Sequence, residues 1–158
     1  MKVAIRKALK QDMPGVLNLI RELAIFEKEP DAVEVTVPEL EAAGFGPQPS
    51  FTCFVAETGG ILVGMALVYF RFSTWKGNTV HLEDLIVKES MRGKGIGSLL
   101  YRKVMEYAAQ QKVKRVNWEV LAWNTPAIEF YEKTGARVLH DWIRVEFSKN
   151  DLDNFLEA

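Results

Sequence analysis

Three glycines fall within five positions near the middle of the chain, directly before a run with helical periodicity, in Arg92-Gly93-Lys94-Gly95-Ile96-Gly97-Ser98. Glycine is costly at a helix start unless the backbone must adopt an unusual conformation or approach a ligand closely. The N-terminus of a helix offers unpaired N–H groups and a partial positive charge, and Arg92 and Lys94 add two cations there. These features predict a turn that binds the pyrophosphate of a phosphorylated cofactor.

The glycine spacing distinguishes this turn from two common nucleotide-binding motifs. The sequence lacks the Gly-x-x-x-x-Gly-Lys-Ser/Thr string that a P-loop requires. The dinucleotide fingerprint Gly-x-Gly-x-x-Gly is not met either, because the glycines follow the pattern Gly-x-Gly-x-Gly and lie far from the first strand. A glycine-rich loop that merely turns the chain is the structural alternative.

Two adjacent carboxylates, Glu83 and Asp84, interrupt the otherwise apolar strand at residues 82–87. Neighbouring residues of a strand point to opposite faces, and either carboxylate would be expensive to bury without a partner. We therefore expect one or both to line a cleft, where desolvation raises the pKa of a carboxyl group. Such a group can accept a proton from an alkyl ammonium, whose reference pKa is ~10.4. A structural ion pair is the alternative interpretation.

The hydrophobic periodicity predicts one domain in which strands and helices alternate, as in an α/β or α+β fold. The predicted strands are residues 3–6, 51–57, 61–72, 79–88 and 115–122, with further strand-like residues at 138–147. The predicted helices are residues 12–27, 96–111, 124–134 and a short terminal segment at 151–156. A capping box at residues 36–39 begins another helix, with Gly44 as its expected end.

The composition excludes several classes of protein. The 158 residues are 48% hydrophobic and 26% charged, which is ordinary for a globular protein and wrong for a disordered one. A net charge of −1 removes the electrostatic case for a nucleic-acid binder. The one cysteine, Cys53, excludes a disulfide scaffold, and the two histidines do not form a ligand cluster, so no metal is expected.

The apolar segments predict no contact with a membrane. The longest apolar run, residues 61–70, is about half of the ~20 residues that span a bilayer. The first residues lack the apolar core of a signal peptide. We therefore expect a cytoplasmic protein.

Several motifs together resemble the GNAT family of N-acetyltransferases. Arg92-x-x-Gly95-x-Gly97 resembles the acetyl-CoA signature of that family. Two further strings resemble the later part of that family's core: Asn124-x-Pro126 and Phe130-Tyr131-x-x-x-Gly135. Residues 19–24, 44–46, 82–84 and 92–98 are similar, in the same order, to the diamine acetyltransferase branch, which includes spermidine/spermine and thialysine enzymes.

The resemblance implies an α/β (α+β) fold with a mixed central sheet of six to seven strands flanked by helices. Its fourth and fifth strands, here residues 82–87 and 115–122, would be parallel and splay apart to admit the pantetheine arm of acetyl-CoA. The implied cofactor-binding residues are Leu85, Ile86, Val87, Arg92, Gly93, Lys94, Gly95, Ile96, Gly97, Ser98, Asn124, Thr125, Pro126 and Ala127. The family resemblance also implies a homodimer, with the segment around residues 142–147 either exchanging between subunits or packing across them.

The resemblance further implies two catalytic residues. Tyr131 would protonate the leaving thiolate, although its spacing alone also fits a half-buried core tyrosine. Glu83 would be the base, acting through water. The predicted amine-binding residues are Phe26, Glu27, Trp75, Glu83, Asp84 and Glu119.

One departure from the polyamine enzymes bears on the substrate. Those enzymes carry an acidic residue where this sequence has Ser73-Thr74, as the thialysine branch does. The loss of a carboxylate weakens attraction for a long polycation. The sequence therefore predicts direct transfer of an acetyl group to a small primary amine, such as a lysine analogue or a short diamine. Acetylation of protein lysines or N-termini, and a catalytically silent acyl-CoA-binding module, are the alternatives.

Overall fold

Five strands form one mixed sheet in the part of the chain that the computed structural model describes, residues 2–158. Their spatial order is also their order in the chain: β1 (Ala4–Lys7), β2 (Thr52–Thr58), β3 (Ile61–Ser73), β4 (Gly77–Val87) and β5 (Val116–Asn117). Neighbouring strands are antiparallel except β4 and β5, which are parallel. The predicted fold class and the parallel fourth pair are confirmed, whereas the predicted strand number of six to seven is wrong.

Three helices belong to the same unit as the sheet, which ends at Glu119. They are α1 (Met13–Phe26), α2 (Val37–Phe45) and α3 (Ile96–Gln110). One core lies between the sheet and α1 with α2, and a second core lies between the sheet and α3. Leu19 of α1 and Leu100 of α3 are fully buried, and burying one such side chain stabilises the fold by about 1.5–3 kcal/mol. The helical periodicity in the sequence located both helices to within one residue.

Strand β5 covers only Val116–Asn117 of the predicted strand at 115–122. Its ladder with β4 consists of two pairs, Val80 with Val116 and His81 with Asn117. A strand needs a partner, and β4 becomes irregular just beyond His81, so the ladder ends there. The prediction of a long fifth strand is therefore wrong.

The second unit, Val120–Ala158, contains α4 (Thr125–Lys133) and α5 (Lys149–Glu157). Its residues 138–147, which resemble a strand in sequence, form no strand in the structure. Trp142 is 72% exposed and Val145 is 90% exposed. Strand-forming residues pair only where a neighbouring edge is available, and within this unit none is present among the described residues. This segment accounts for the missing sixth strand.

Helix α2 begins and ends for different reasons. Thr36 and Glu39 form the predicted capping box, in which the Glu39 carboxylate accepts from the Thr36 backbone N–H at 2.7 Å. The helix passes through Gly44 and ends at Phe45, with Gly46 as its C-cap, so the predicted end at Gly44 is wrong. A Cβ on Gly44 would lie 2.5 Å from the ring of Phe51. Gly44 therefore permits close packing rather than ending the helix.

None of the helices within residues 2–158 is both long enough and apolar enough to cross a membrane.

Candidate active site

The glycine turn has the backbone conformation that its composition predicts. Gly93 and Gly95 have φ values of 73° and 77°, in the left-handed region that only glycine adopts without strain. Gly95 is the N-cap of α3, and the first N–H groups of that helix have no intrahelical acceptor. A Cβ on Gly93 or Gly95 would meet no heavy atom within 4 Å, so the space beside both is open. The turn can therefore hold an anion against backbone amides.

Not every residue of the turn can contact a ligand through its side chain. Ile96 is 2% exposed and packs into the core under α3, so it can offer only its backbone N–H. The Arg92 side chain donates from Nε to the carbonyl of Val87 at 3.0 Å, and its guanidinium lies 5.0 Å from the ring centre of Phe26. Arg92 thus joins the end of β4 to the end of α1, which leaves its two Nη groups for an anion.

A β-bulge in β4 places the two carboxylates. Val68 of β3 pairs with Leu82, and the preceding residue, Leu67, pairs with Asp84. Glu83 is therefore the extra residue of β4. The bulge shifts the alternation by one. Leu82 packs under α3, whereas Ile86, four residues on, packs under α1. Glu83 and Asp84 therefore both lie on the α1 face, and the prediction that they point to opposite faces is wrong.

Asp84 sits in an acidic environment on that face. Burial, together with the nearby negative charges of Glu83 and Glu27, raises the pKa of its carboxyl group to about 6. Glu27, the C-cap of α1, is near enough for its charge to act on Asp84, so the end of the first helix adjoins these carboxylates. A carboxyl group with a pKa near neutrality can bind an ammonium and exchange a proton with it.

Three further side chains adjoin this acidic group. His81 Nε2 lies 3.4 Å from a Glu83 carboxylate oxygen, and Arg71 Nη1 lies 3.1 Å from His81 Nδ1. The rings of Tyr69 and His81 have centres 5.1 Å apart. Burial raises the pKa of the Tyr69 hydroxyl, and the charges of Glu83 and Glu119 also raise it. Glu119 therefore belongs to this cluster, and its predicted contact with the amine stays a prediction.

The outer edge of β4 has no strand partner beside the carboxylates among the described residues. No strand among residues 2–158 pairs with this edge beyond the two rungs with β5. Leu85, Ile86 and Val87 lie on it between the bulge and the glycine turn. An unpaired strand edge presents backbone N–H and C=O groups to any extended ligand beside it. These residues can therefore bind an amide-containing chain that leads away from the turn.

Trp75 is not brought to the carboxylates. It lies 79% exposed in the turn between β3 and β4. Glu83 is six positions along β4 from Gly77, which corresponds to roughly 20 Å of strand. A role for Trp75 would require a ligand long enough to reach that turn.

The predicted residues of the second unit lie together on one helix. The Asn124 side chain caps α4 by accepting from the Ala127 N–H at 3.4 Å. Tyr131 is half-buried two turns further on, with its ring centre 5.5 Å from that of Phe130. Thr125 and Pro126 form the exposed first turn. Asn124 thus has a structural role in addition to the predicted contact with the cofactor.

The family model described as "Acetyltransferase (GNAT) family" matches residues 14–136. This chain belongs to the GNAT family. The chain is 42% identical over 145 residues to the thialysine N-epsilon-acetyltransferase of Sus scrofa, and the match covers 87% of this chain and 85% of that protein. It is 34% identical to the spermidine/spermine N(1)-acetyltransferase-like protein 1 of Homo sapiens, covering 94% of this chain and 23% of that one.

A solved structure supports the fold of this acetyltransferase. The integron cassette protein VCH_CASS6 of V. cholerae superposes with a TM-score of 0.80 at 23% identity, and the match covers 100% of this chain and 99% of that one. The family match and the 42% identity over most of the chain establish the protein as an acetyltransferase.

Sequence reasoning missed Tyr69, Arg71 and His81 as neighbours of the acetyltransferase site. Tyr69 and Arg71 alternate with Val68 and Phe70, which a period-2 strand predicts to be on the opposite face. His81 stands two residues before Glu83 in an apolar run. A histidine in an apolar run, two residues before a carboxylate, is the sequence signal that could have indicated its place beside the site.

Replacing Asp84 by asparagine is expected to stabilise the folded acetyltransferase at neutral pH. The Asp84 pKa rises from 3.8 to about 6 on folding. The contribution of Asp84 to the stability of the wild type is therefore fully present below pH 3.8. It is lost as the pH rises through about 6. The shift corresponds to at most about 3 kcal/mol, which solvent screening reduces to about 1–2 kcal/mol.

Urea unfolding of the wild type and Asp84→Asn on both sides of this range measures the effect. The gain should vanish in acid, where Asp84 is protonated in both states. Asp12→Asn is the matched control, and it should destabilise the protein at neutral pH. The Asp12 pKa is lowered in the folded state because Arg6 hydrogen-bonds the carboxylate. A stabilisation by Asp84→Asn that is the same at both pH values would contradict the assignment.

Proposed function

We propose that the protein transfers the acetyl group of acetyl-CoA directly to a primary amine of a small molecule. The single observation that carries this proposal is the order of features along β4 and into α3. The carboxylates Glu83 and Asp84 come first, the open edge at residues 85–87 follows, and the anion-binding turn at Gly93–Gly95 completes the series. A donor with a pyrophosphate, an amide-containing arm and a terminal thioester fits that order, with its thioester beside the carboxylates.

The cofactor-binding residues divide by the part of the donor they would hold. The pyrophosphate would lie against the backbone of Gly93, Lys94, Gly95, Ile96, Gly97 and Ser98, with the Nη groups of Arg92. The pantetheine arm would bind the backbone of Leu85, Ile86 and Val87. The start of α4, which is Asn124, Thr125, Pro126 and Ala127, would contribute the remaining contacts. The family membership supports acetyl-CoA as the donor.

Two residues would move protons in the reaction. Glu83, through a water molecule, would accept a proton from the ammonium, which frees the nitrogen lone pair to attack the thioester carbonyl. The new C–N bond forms as the C–S bond breaks, and Tyr131 would donate its phenolic proton to the leaving thiolate. Asp84 and Glu27 would hold the amine beside Glu83.

The charges around the site favour a short amine or a lysine-like amine over spermine. The acidic group contains Glu27, Glu83, Asp84 and Glu119. Arg71, on the same face, adds a positive charge on the side towards the turn between β3 and β4. A second or third ammonium group extending in that direction would be repelled. The name of the thialysine-acetylating relative is consistent with this substrate class.

An amine panel with acetyl-CoA and a thiol-detecting reagent tests the proposal. We expect kcat/KM for thialysine, lysine or a short diamine to exceed that for spermine by about 10-fold, which is about 1.4 kcal/mol and reasonable for one unfavourable charge contact. A strong preference for spermine would contradict the charge argument. No thiol release with any small amine would favour the silent acyl-CoA-binding module, and release only with peptides would favour a protein acetyltransferase.

We also propose that both units act as one acetyltransferase domain in a cytoplasmic homodimer. The family match at residues 14–136 extends over parts of both units and supports the single domain. The exposed side chains of Trp142, Ile143, Val145 and Phe147 support a subunit contact around residues 142–147. Sedimentation of the purified protein measures the oligomeric state.

A further inference from the structure

His81 is a buried ionisable residue to which the reaction proposed above assigns no role. It is 6% exposed, and Thr79 is the other buried polar residue among residues 2–158. The Thr79 hydroxyl donates to the Arg71 carbonyl at 3.1 Å, which is an ordinary structural hydrogen bond. The His81 ring has polar neighbours at both of its nitrogens, one of which is the carboxylate of Glu83.

The contact with Arg71 determines which ring nitrogen carries the proton. A guanidinium has only donors, so Arg71 Nη1 must donate to His81 Nδ1 across the 3.1 Å that separate them. In the neutral ring, an accepting Nδ1 requires that the proton be on Nε2. That N–H is at the nitrogen 3.4 Å from the Glu83 carboxylate oxygen. Arg71 therefore fixes the tautomer that offers Glu83 a donor.

The β-bulge makes this contact possible. Without it, an additional rung of the ladder would pair Glu83 with β3, and the carboxylates would lie on different faces. As the extra residue of the bulge, Glu83 has no Cα partner on β3, but the Tyr69 side chain of β3 hydrogen-bonds its carboxylate. Nε2 of His81, 3.4 Å from a Glu83 carboxylate oxygen, adds a second polar contact that restricts the orientation of this half-exposed side chain.

We propose that His81 is a positioning residue, held by Arg71 in its Nε2–H tautomer, that orients the Glu83 carboxylate as the base for the amine. A neutral donor suits this task, because a lysine or arginine at the same place would form an ion pair and lower the basicity of Glu83. The charged and titratable groups that surround the pair are Tyr69, Arg71, Asp84, Glu27 and Glu119. The inference rests on the proposed function, in which Glu83 is that base.

Replacing His81 by phenylalanine and by glutamine tests whether its N–H group supports catalysis by Glu83. Phenylalanine keeps the ring and removes the donor, so kcat should fall by about 10–100-fold, less than the 10²–10⁴ that general-base catalysis as a whole contributes. The KM for acetyl-CoA should not change. Glutamine can place an amide N–H near the position of Nε2 and should restore kcat to within about threefold of the wild type. Equal kcat for phenylalanine and the wild type would overturn the proposal.

The ¹⁵N shifts of the His81 ring test the tautomer without any turnover. In mildly alkaline buffer, the wild type and Arg71→Lys should show the Nε2–H form, since both retain a donor to Nδ1. Arg71→Met should show a mixture of both tautomers. A wild-type ring with its proton on Nδ1 would overturn this inference while leaving the acetyltransferase proposal intact. A wild-type protein that acetylates no amine would remove the proposed function even if the tautomer is as expected.

Discussion

Replacement of Gly95 by tryptophan is expected to weaken the binding of coenzyme A by more than about 100-fold, which corresponds to about 2.7 kcal/mol. Gly95 has a φ of 77°, and the direction of its absent Cβ is open for 4 Å. That space is where the proposed pyrophosphate would lie against the N–H groups that begin α3. An indole there occupies the anion site and also forces the backbone out of the conformation that directs these groups towards it.

Backbone strain alone must be separated from loss of the anion site. Gly77 supplies the control, because its φ is also 77° and its Cβ direction is also open. It begins β4, whereas the turn follows the far end of that strand. Isothermal titration calorimetry should therefore give a normal affinity for Gly77→Trp and none measurable for Gly95→Trp. Equal affinities for the two variants would place the pyrophosphate elsewhere.

The turn could be predicted from the sequence because its requirements are local. Left-handed backbone, a helix start and nearby cations each depend on residues within seven positions, and all of them appear in residues 92–98. The side chain of Arg92 is different. Its contacts with the Val87 carbonyl and the Phe26 ring involve residues outside the motif, and Phe26 is 66 positions away, so the motif itself does not predict them.

The bulge explains why strict alternation predicts the wrong faces for the two carboxylates. Strict alternation would put Leu82 and Leu85 on opposite sides of β4, but both pack against the core under α3. Leu82 and Leu85 lie on one face with two polar residues between them, and one inserted residue in the strand produces this pattern. Read in that way, the sequence at 82–85 contains the signal for a bulge.

The two segments that failed to form their predicted strands share one cause. Residues 118–122 and 138–147 have the composition of strands, yet a strand also requires a paired edge. For the first, the ladder ends where β4 bulges. For the second, the part of the chain that the structure describes supplies no partner within its own unit. Composition indicates the capacity to pair, whereas the available edge depends on tertiary structure.

The second large effect is expected for Tyr131→Phe, which should lower kcat by about 10–1000-fold, or about 1.4–4 kcal/mol. The change removes one hydroxyl and keeps the ring, so the contact with Phe130 on α4 is preserved. The carbonyl of residue 131, which accepts from the Thr134 hydroxyl at 2.6 Å, is also unaffected. Stability and the affinity for acetyl-CoA should therefore stay close to those of the wild type.

The expected loss is specific to the departure of the thiolate. Without the phenol, the coenzyme A sulfur must leave unprotonated, and the barrier for C–S cleavage rises while amine binding is unchanged. Stopped-flow or steady-state detection of free thiol measures kcat directly. Tyr107→Phe is the matched control, because its hydroxyl lies 3.5 Å from that of Thr52 and the change removes an equivalent group from α3. If both variants turned over at the same rate, the proton donor would have to be a residue other than Tyr131.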